Sequence, residues 1–135
     1  MNRKIFFDHE RLNAYQDSIK FVAVAEDFLQ RIPKTISAWD QLDRASTSIP
    51  LNIAEGNGKF TVPDRCRYFE TARGSALECA ACLDVLVAKN RLAPEDIVAP
   101  KELLSGVVSM LVGLVRSIAP ERLREEPPPY GAVAE

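Results

Sequence analysis

With 135 residues, 47% of them hydrophobic, the chain is long enough to fill one core of its own. A formal net charge of -2 provides no global basic field, which counts against a simple polycation drawn to nucleic acid or anionic membrane. No stretch approaches the roughly 18 apolar residues of a membrane span, and Asp8 falls where a signal peptide needs an apolar run, so a cytoplasmic protein is expected.

Strand signals are nearly absent and helical periodicity recurs, which predicts an all-α fold. A first helix is expected from about Glu10 to Arg31, ended by Pro33. It carries two adjacent apolar stripes, Leu12, Tyr15, Ile19, Val22, Glu26 and Leu29 beside Phe21, Ala25, Phe28 and Ile32. That is more than one core face requires, and the surplus points to a subunit interface. A second helix opens near Ser37, whose spacing to Asp40 suggests a capping box, and places Leu42, Ser46, Ile49 and Ile53 on one stripe. Pro50 predicts a kink eased by hydroxyls of Ser46, Thr47 or Ser48, and Gly56 and Gly58 are read as the stop.

Thr61 and Asp64 cap a third helix that runs to about Lys89, with Phe69, Ala72, Ala76, Ala80, Leu83 and Val87 inward. Pro94, Glu95 and Asp96 predict a short turn before a fourth helix from about Pro100 to Ser117. Its apolar face is Leu104, Val107, Val108, Leu111, Leu114, Val115 and Ile118. Residues 1–119 thus form one domain, and the proline-rich, charged stretch 120–135 is expected to be a disordered tail. Short connections imply an antiparallel, up-down four-helix bundle.

The run from Gln41 to Gly56 repeats polar groups on one helical face. Eleven residues turn a helix by about 1100°, so Arg44 and Glu55 point nearly the same way, with Ser48 between them and Asn52 alongside. Ser75 and Glu78 on the third helix are positioned to face them. Burying such groups unpaired costs about 1 to 3 kcal/mol each, so Arg44, Ser48, Asn52, Glu55, Ser75 and Glu78 are expected to form a structural network that fixes helix register. The alternative is an open pocket with catalytic use.

The same run carries a resemblance. Gln41-Leu42, Arg44-Ala45, Ser48-Ile49-Pro50 and Asn52-Ile53-Ala54-Glu55-Gly56, followed by Phe69, Ala72, Gly74-Ser75 and Glu78, resemble the signature of the 23S rRNA intervening sequence protein family. The likeness spans roughly residues 7–118. It implies a four-helix bundle assembled as a homopentameric ring. The family includes accessory variability determinants of diversity-generating retroelements, which implies nucleic acid and a reverse transcriptase among possible partners. Asp43 and Lys59 depart from the family pattern, which is more often basic at the first and Arg at the second.

Lys59, Arg65, Arg67 and Arg73 cluster near the second turn against Asp64 and Glu70, and are the candidate phosphate contacts. Gly56-Asn57-Gly58-Lys59-Phe60-Thr61 lacks the glycine spacing and hydroxyl of a phosphate loop. Cys66, Cys79 and Cys82 are an odd count without a second ligand pair, so reduced core thiols are expected and no metal or other cofactor. The sole histidine, His9, precedes the first helix, and no nucleophile has a base beside it in the pattern. The expectation is a non-catalytic, homo-oligomeric binding or scaffold protein contacting RNA, DNA or a nucleic-acid enzyme; the alternative is a protein interaction bundle with no nucleic-acid role.

Overall fold

A computed structural model describes residues 4–120 as four α-helices, with no strand among the described residues. These are α1 (Asn13–Leu29), α2 (Ser37–Gly58), α3 (Val62–Ala88) and α4 (Val98–Ile118). Short 3-10 turns, Asp8–Arg11 and Pro94–Ile97, lead into α1 and α4. Each helix packs on its chain neighbours and α1 closes the bundle against α4, so α1 and α3 lie diagonally opposite, as do α2 and α4. The expected tail lies outside the described residues apart from Pro120.

One strip of each helix makes the core. On α1 the inward strip is Ala14, Ser18, Phe21, Ala25 and Phe28, continued by Ile32 beyond the helix end. Burying apolar surface at about 25 cal/mol per Å2 is what holds these strips together. The Ser18 hydroxyl reaches the core satisfied, donating to the Tyr15 carbonyl at 2.7 Å. On α4 the strip is Leu104, Val107, Leu111 and Val115. Pro100 sits in the first turn of α4, where its missing donor is not needed, so the helix starts two residues earlier than the proline suggested.

Two local expectations, at Ser37 and Gly56, are corrected. Ser37 does not cap α2: Ile36 occupies the cap position with no side-chain bond, and Asp40 instead accepts from Arg44 Nε at 3.0 Å. Pro50 is buried inside α2, which continues unbroken through it, and the hydroxyls of Ser46 and Thr47 both donate to the Asp43 carbonyl. Gly56 does not stop the helix. It lies within α2, buried, where an added Cβ would stand 2.9 Å from Tyr68 Cβ and 3.1 Å from the Phe69 ring. The Thr61 cap does form, Thr61 Oγ1 accepting from the Asp64 amide at 3.3 Å.

Trp39 Nε1 donates to the Leu29 carbonyl at 2.8 Å and ties the start of α2 to the end of α1. Lys101 Nζ meets Asp84 Oδ1 at 2.8 Å between α4 and α3.

Gly56→Ala should destabilise the fold by about 1 to 3 kcal/mol through overpacking. Gly58→Ala, with nothing within 4 Å of an added Cβ, should be neutral or stabilise by up to about 1 kcal/mol. Denaturant melts of the two variants check this; equal stabilities would mean that the α2 to α3 approach is not tight at Gly56.

Candidate interaction surfaces

The α2 polar stripe divides in two. Ser48, Asn52 and Ser75 form a compact inter-helix network: Ser48 Oγ and Ser75 Oγ are hydrogen-bonded at 2.8 Å, and Asn52 Nδ2 donates to Ser48 Oγ at 2.9 Å and to the Ser48 carbonyl at 2.8 Å. Arg44, Glu55 and Glu78 are not part of it. All three are exposed, and Arg44 is engaged by Asp40. The eleven-residue superposition of Arg44 on Glu55 holds, but the face they share points to solvent while Leu42, Ala45, Ile49 and Ile53 take the core. Arg44 and Glu55 therefore edge an open surface groove of about 510 Å3 with Asp43, Thr47, Ser48, Leu51 and Asn52. No histidine or cysteine lines it, and its hydroxyls are committed to Ser75 and to backbone carbonyls.

The four candidate cations do not make one patch: Lys59 and Arg67 meet at Tyr68 in the α2 to α3 corner, while Arg73 lies more than a turn further along α3. Lys59 Nζ lies over the Tyr68 ring at 5.0 Å and the Arg67 guanidinium over the same ring at 5.3 Å, so Tyr68 is flanked by two charges. Arg67 Nη1 also donates to Asp64 Oδ1 at 2.9 Å, and the hydrogen bonds to Asp64 and Tyr68 raise its pKa further above the usual guanidinium value. Arg73 is exposed. Arg65 is half-buried, and its Nε is out of solvent with no hydrogen-bond partner, a position that costs free energy as it stands. Beside them Phe60 is fully exposed, which composition and spacing did not reveal because a single aromatic in a turn carries no periodic signal.

A second surface is apolar. Of the two α1 stripes, the one beginning at Leu12 is buried only at its end, at Leu29: Leu12, Tyr15 and Val22 are half-buried, Glu26 is exposed and Ile19 is 42% exposed. On α4, Leu103, Val108, Met110, Leu114 and Ile118 are only partly covered, Met110 and Leu114 on the side that faces α1. Leu12, Asn13, Ala14, Met110, Gly113 and Leu114 enclose a groove of about 250 Å3 along this seam. The span Pro94–Ile118 is, by length and composition alone, apolar enough to cross a membrane, with a mean hydropathy of 1.6. The span is not an unbroken apolar run: Lys101, Glu102 and Arg116 interrupt it with charge, and Ser105, Gly106, Ser109 and Gly113 with small neutral residues. Only 22% of its most apolar window is buried.

The three cysteines are buried and free. Burial, with the Cys82 and Glu78 charges adding to it, pushes the Cys79 thiol up to about 12, and burial followed by Glu78 raises Cys82. Both stay protonated and poorly nucleophilic at neutral pH. His9 stacks on Phe7 and meets Tyr15 edge-on. Among the described residues, no three His, Cys, Asp or Glu side chains converge as metal ligands would.

Asn52→Ala and Ser75→Ala should each lose about 0.5 to 1.5 kcal/mol of stability. Glu55→Gln and Glu78→Gln should stay within about 0.5 kcal/mol of the parent protein. Chemical denaturation of the four variants checks the division, and a loss of several kcal/mol in Glu55→Gln would place that carboxylate in a sealed network after all.

Comparison with known proteins bears on the fold and the family. No curated protein matches the chain. A crystal structure of a protein of unknown function from the S23 ribosomal protein family of Bacteroides thetaiotaomicron is similar, with a TM-score of 0.71 at 20% identity. The similarity covers 76% of this chain and 98% of that one, and at this identity it speaks for the fold alone. The family model for the 23S rRNA-intervening sequence protein matches residues 10–113, which take in α1 to α3 and most of α4. The chain belongs to the 23S rRNA-intervening sequence protein family.

Proposed function

We propose that the chain is a non-catalytic scaffold: antiparallel, up-down four-helix bundles assembled as a homopentameric ring in the cytoplasm, presenting the α2 to α3 corner to structured RNA or DNA or to a nucleic-acid enzyme such as a reverse transcriptase. The observation that carries the assembly is the surplus apolar surface of α1 and α4, which a single bundle leaves facing water. The antiparallel arrangement is supported by pairing between α2 and α3: Ser48 meets Ser75 while Gly56, further along α2, meets Tyr68, earlier in α3. The pentamer rests on the family resemblance.

Nucleic-acid contact is supported by Lys59 and Arg67 meeting at the α2 to α3 corner, both stacked on Tyr68, with Arg65 and Arg73 on the same helix as further candidate cations. A second reading, a protein interaction bundle with no nucleic-acid role, is favoured by the net charge of -2 and by the pairing of Arg67 with Asp64. No catalytic residue and no cofactor is assigned. The open groove beside Arg44 and Glu55 holds no nucleophile with a base next to it.

Binding of a structured RNA at about 50 mM salt, followed through a salt titration, separates the two readings. The scaffold reading expects affinity to fall steeply with salt, and Lys59→Glu with Arg67→Glu to weaken binding and flatten the log–log slope by about two. Absence of binding at low salt would leave the protein interaction reading.

A further inference from the structure

Phe60 is the most exposed large apolar residue described, 100% accessible, in the three-residue link between α2 and α3. The groove lined by Leu12, Asn13, Ala14, Met110, Gly113 and Leu114 lies on a different side, along the α1 to α4 seam. Its volume of about 250 Å3 exceeds the roughly 150 Å3 in which a buried apolar cavity takes up benzene. Met110 gives it a polarizable sulfur, which packs well on aromatic rings. Knob and groove sit at the same end of the bundle, because Asn57 Nδ2, three residues before Phe60, donates to Asp8 Oδ2 at 3.0 Å in the turn that runs directly into Leu12.

We propose that Phe60 of one copy seats in the α1 to α4 groove of the next copy; this rests on the ring reading above and assigns its interface. A projecting side chain and a receiving groove on different sides of one chain make a head-to-tail contact, which closes into a ring when the rotation per subunit allows and otherwise runs on as a filament. Their common level along the bundle lets successive copies sit side by side without a rise along the assembly axis, the geometry of a closed ring. The contact also explains both exposed features at once: it covers the start of the outward α1 stripe at Leu12 and removes Phe60 from water. A nucleotide base stacked on Phe60 would account for the ring alone and leave the groove empty, and the nearest cation, Lys59, is turned onto Tyr68 instead.

The test uses two lesions and their mixture in the full chain. Phe60→Asp removes the knob at a position open to solvent on all sides. Gly113→Trp fills the groove from a position where an added Cβ meets nothing within 4 Å, and Gly113→Leu is a smaller plug should the tryptophan perturb the fold. Circular dichroism melts establish that each variant is folded, and light scattering after gel filtration reads the mass. Each variant alone should fall to a monomer. An equal mixture of Phe60→Asp and Gly113→Trp should yield a heterodimer, since one intact groove and one intact Phe60 remain.

A Phe60→Asp protein that keeps the parent mass, or a mixture of two monomeric variants that gives no heterodimer, overturns the knob-and-groove contact while the ring reading stands. A parent protein that is itself monomeric overturns both. Loss of RNA binding in Phe60→Asp at unchanged mass would assign Phe60 to nucleotide stacking instead.

Discussion

The packing of α2 on α3 sets the positions of everything else. At Gly56 the two helices come close enough that a single methyl group would collide with Tyr68 and Phe69, and Ala72 and Ala76 keep the seam narrow further along α3. Close-packed interiors tolerate such changes poorly, so the spacing is fixed by side-chain volume more than by any hydrogen bond. The link between the helices shrinks to three residues as a result, which thrusts Phe60 into solvent and gathers Lys59, Arg67 and Tyr68 at one corner. The Ser48, Asn52 and Ser75 bonds add register to a contact that packing has already made.

What the sequence disclosed and what it hid follow from one distinction. Periodicity reports which residues share a face, and the four helices, the Thr61 cap and the core strips of α1 and α4 were readable on that basis. It does not report whether that face turns inward. Arg44 and Glu55 do align, yet they align on the solvent side of α2, and Glu78 joins no network. Gly56 was read as a terminator because glycine commonly ends helices, and the close approach of Tyr68 that gives it a different role leaves no local sequence signal. Ser37 and Asp40 had the spacing of a cap, but a good i,i+4 partner for Asp40 in Arg44 took the carboxylate instead.

The functional surfaces were legible unevenly for the same reason. Two apolar stripes on α1 signalled an outward surface, whereas the apolar face of α4 gave no sign that Val108, Leu114 and Ile118 would be only partly covered, and the lone Phe60 had no pattern to belong to. The family assignment and the similar solved fold agree on the helical architecture, and at a net charge of -2 the Lys59 and Arg67 pair is a local cationic feature. The protonated thiols and the engaged hydroxyls are consistent with side chains spent on packing and register.

The claim on which this account turns is that the apolar seam of α1 and α4 is covered by another copy of the chain. Hydroxyl-radical footprinting across a dilution series reads it directly, comparing Leu12, Tyr15, Met110 and Leu114 with Leu51 on the outer face of α2, which is 61% exposed. The account predicts that the seam residues are protected at high concentration and become labelled on dilution while Leu51 is labelled throughout. Seam residues labelled to the same extent at every concentration would contradict it.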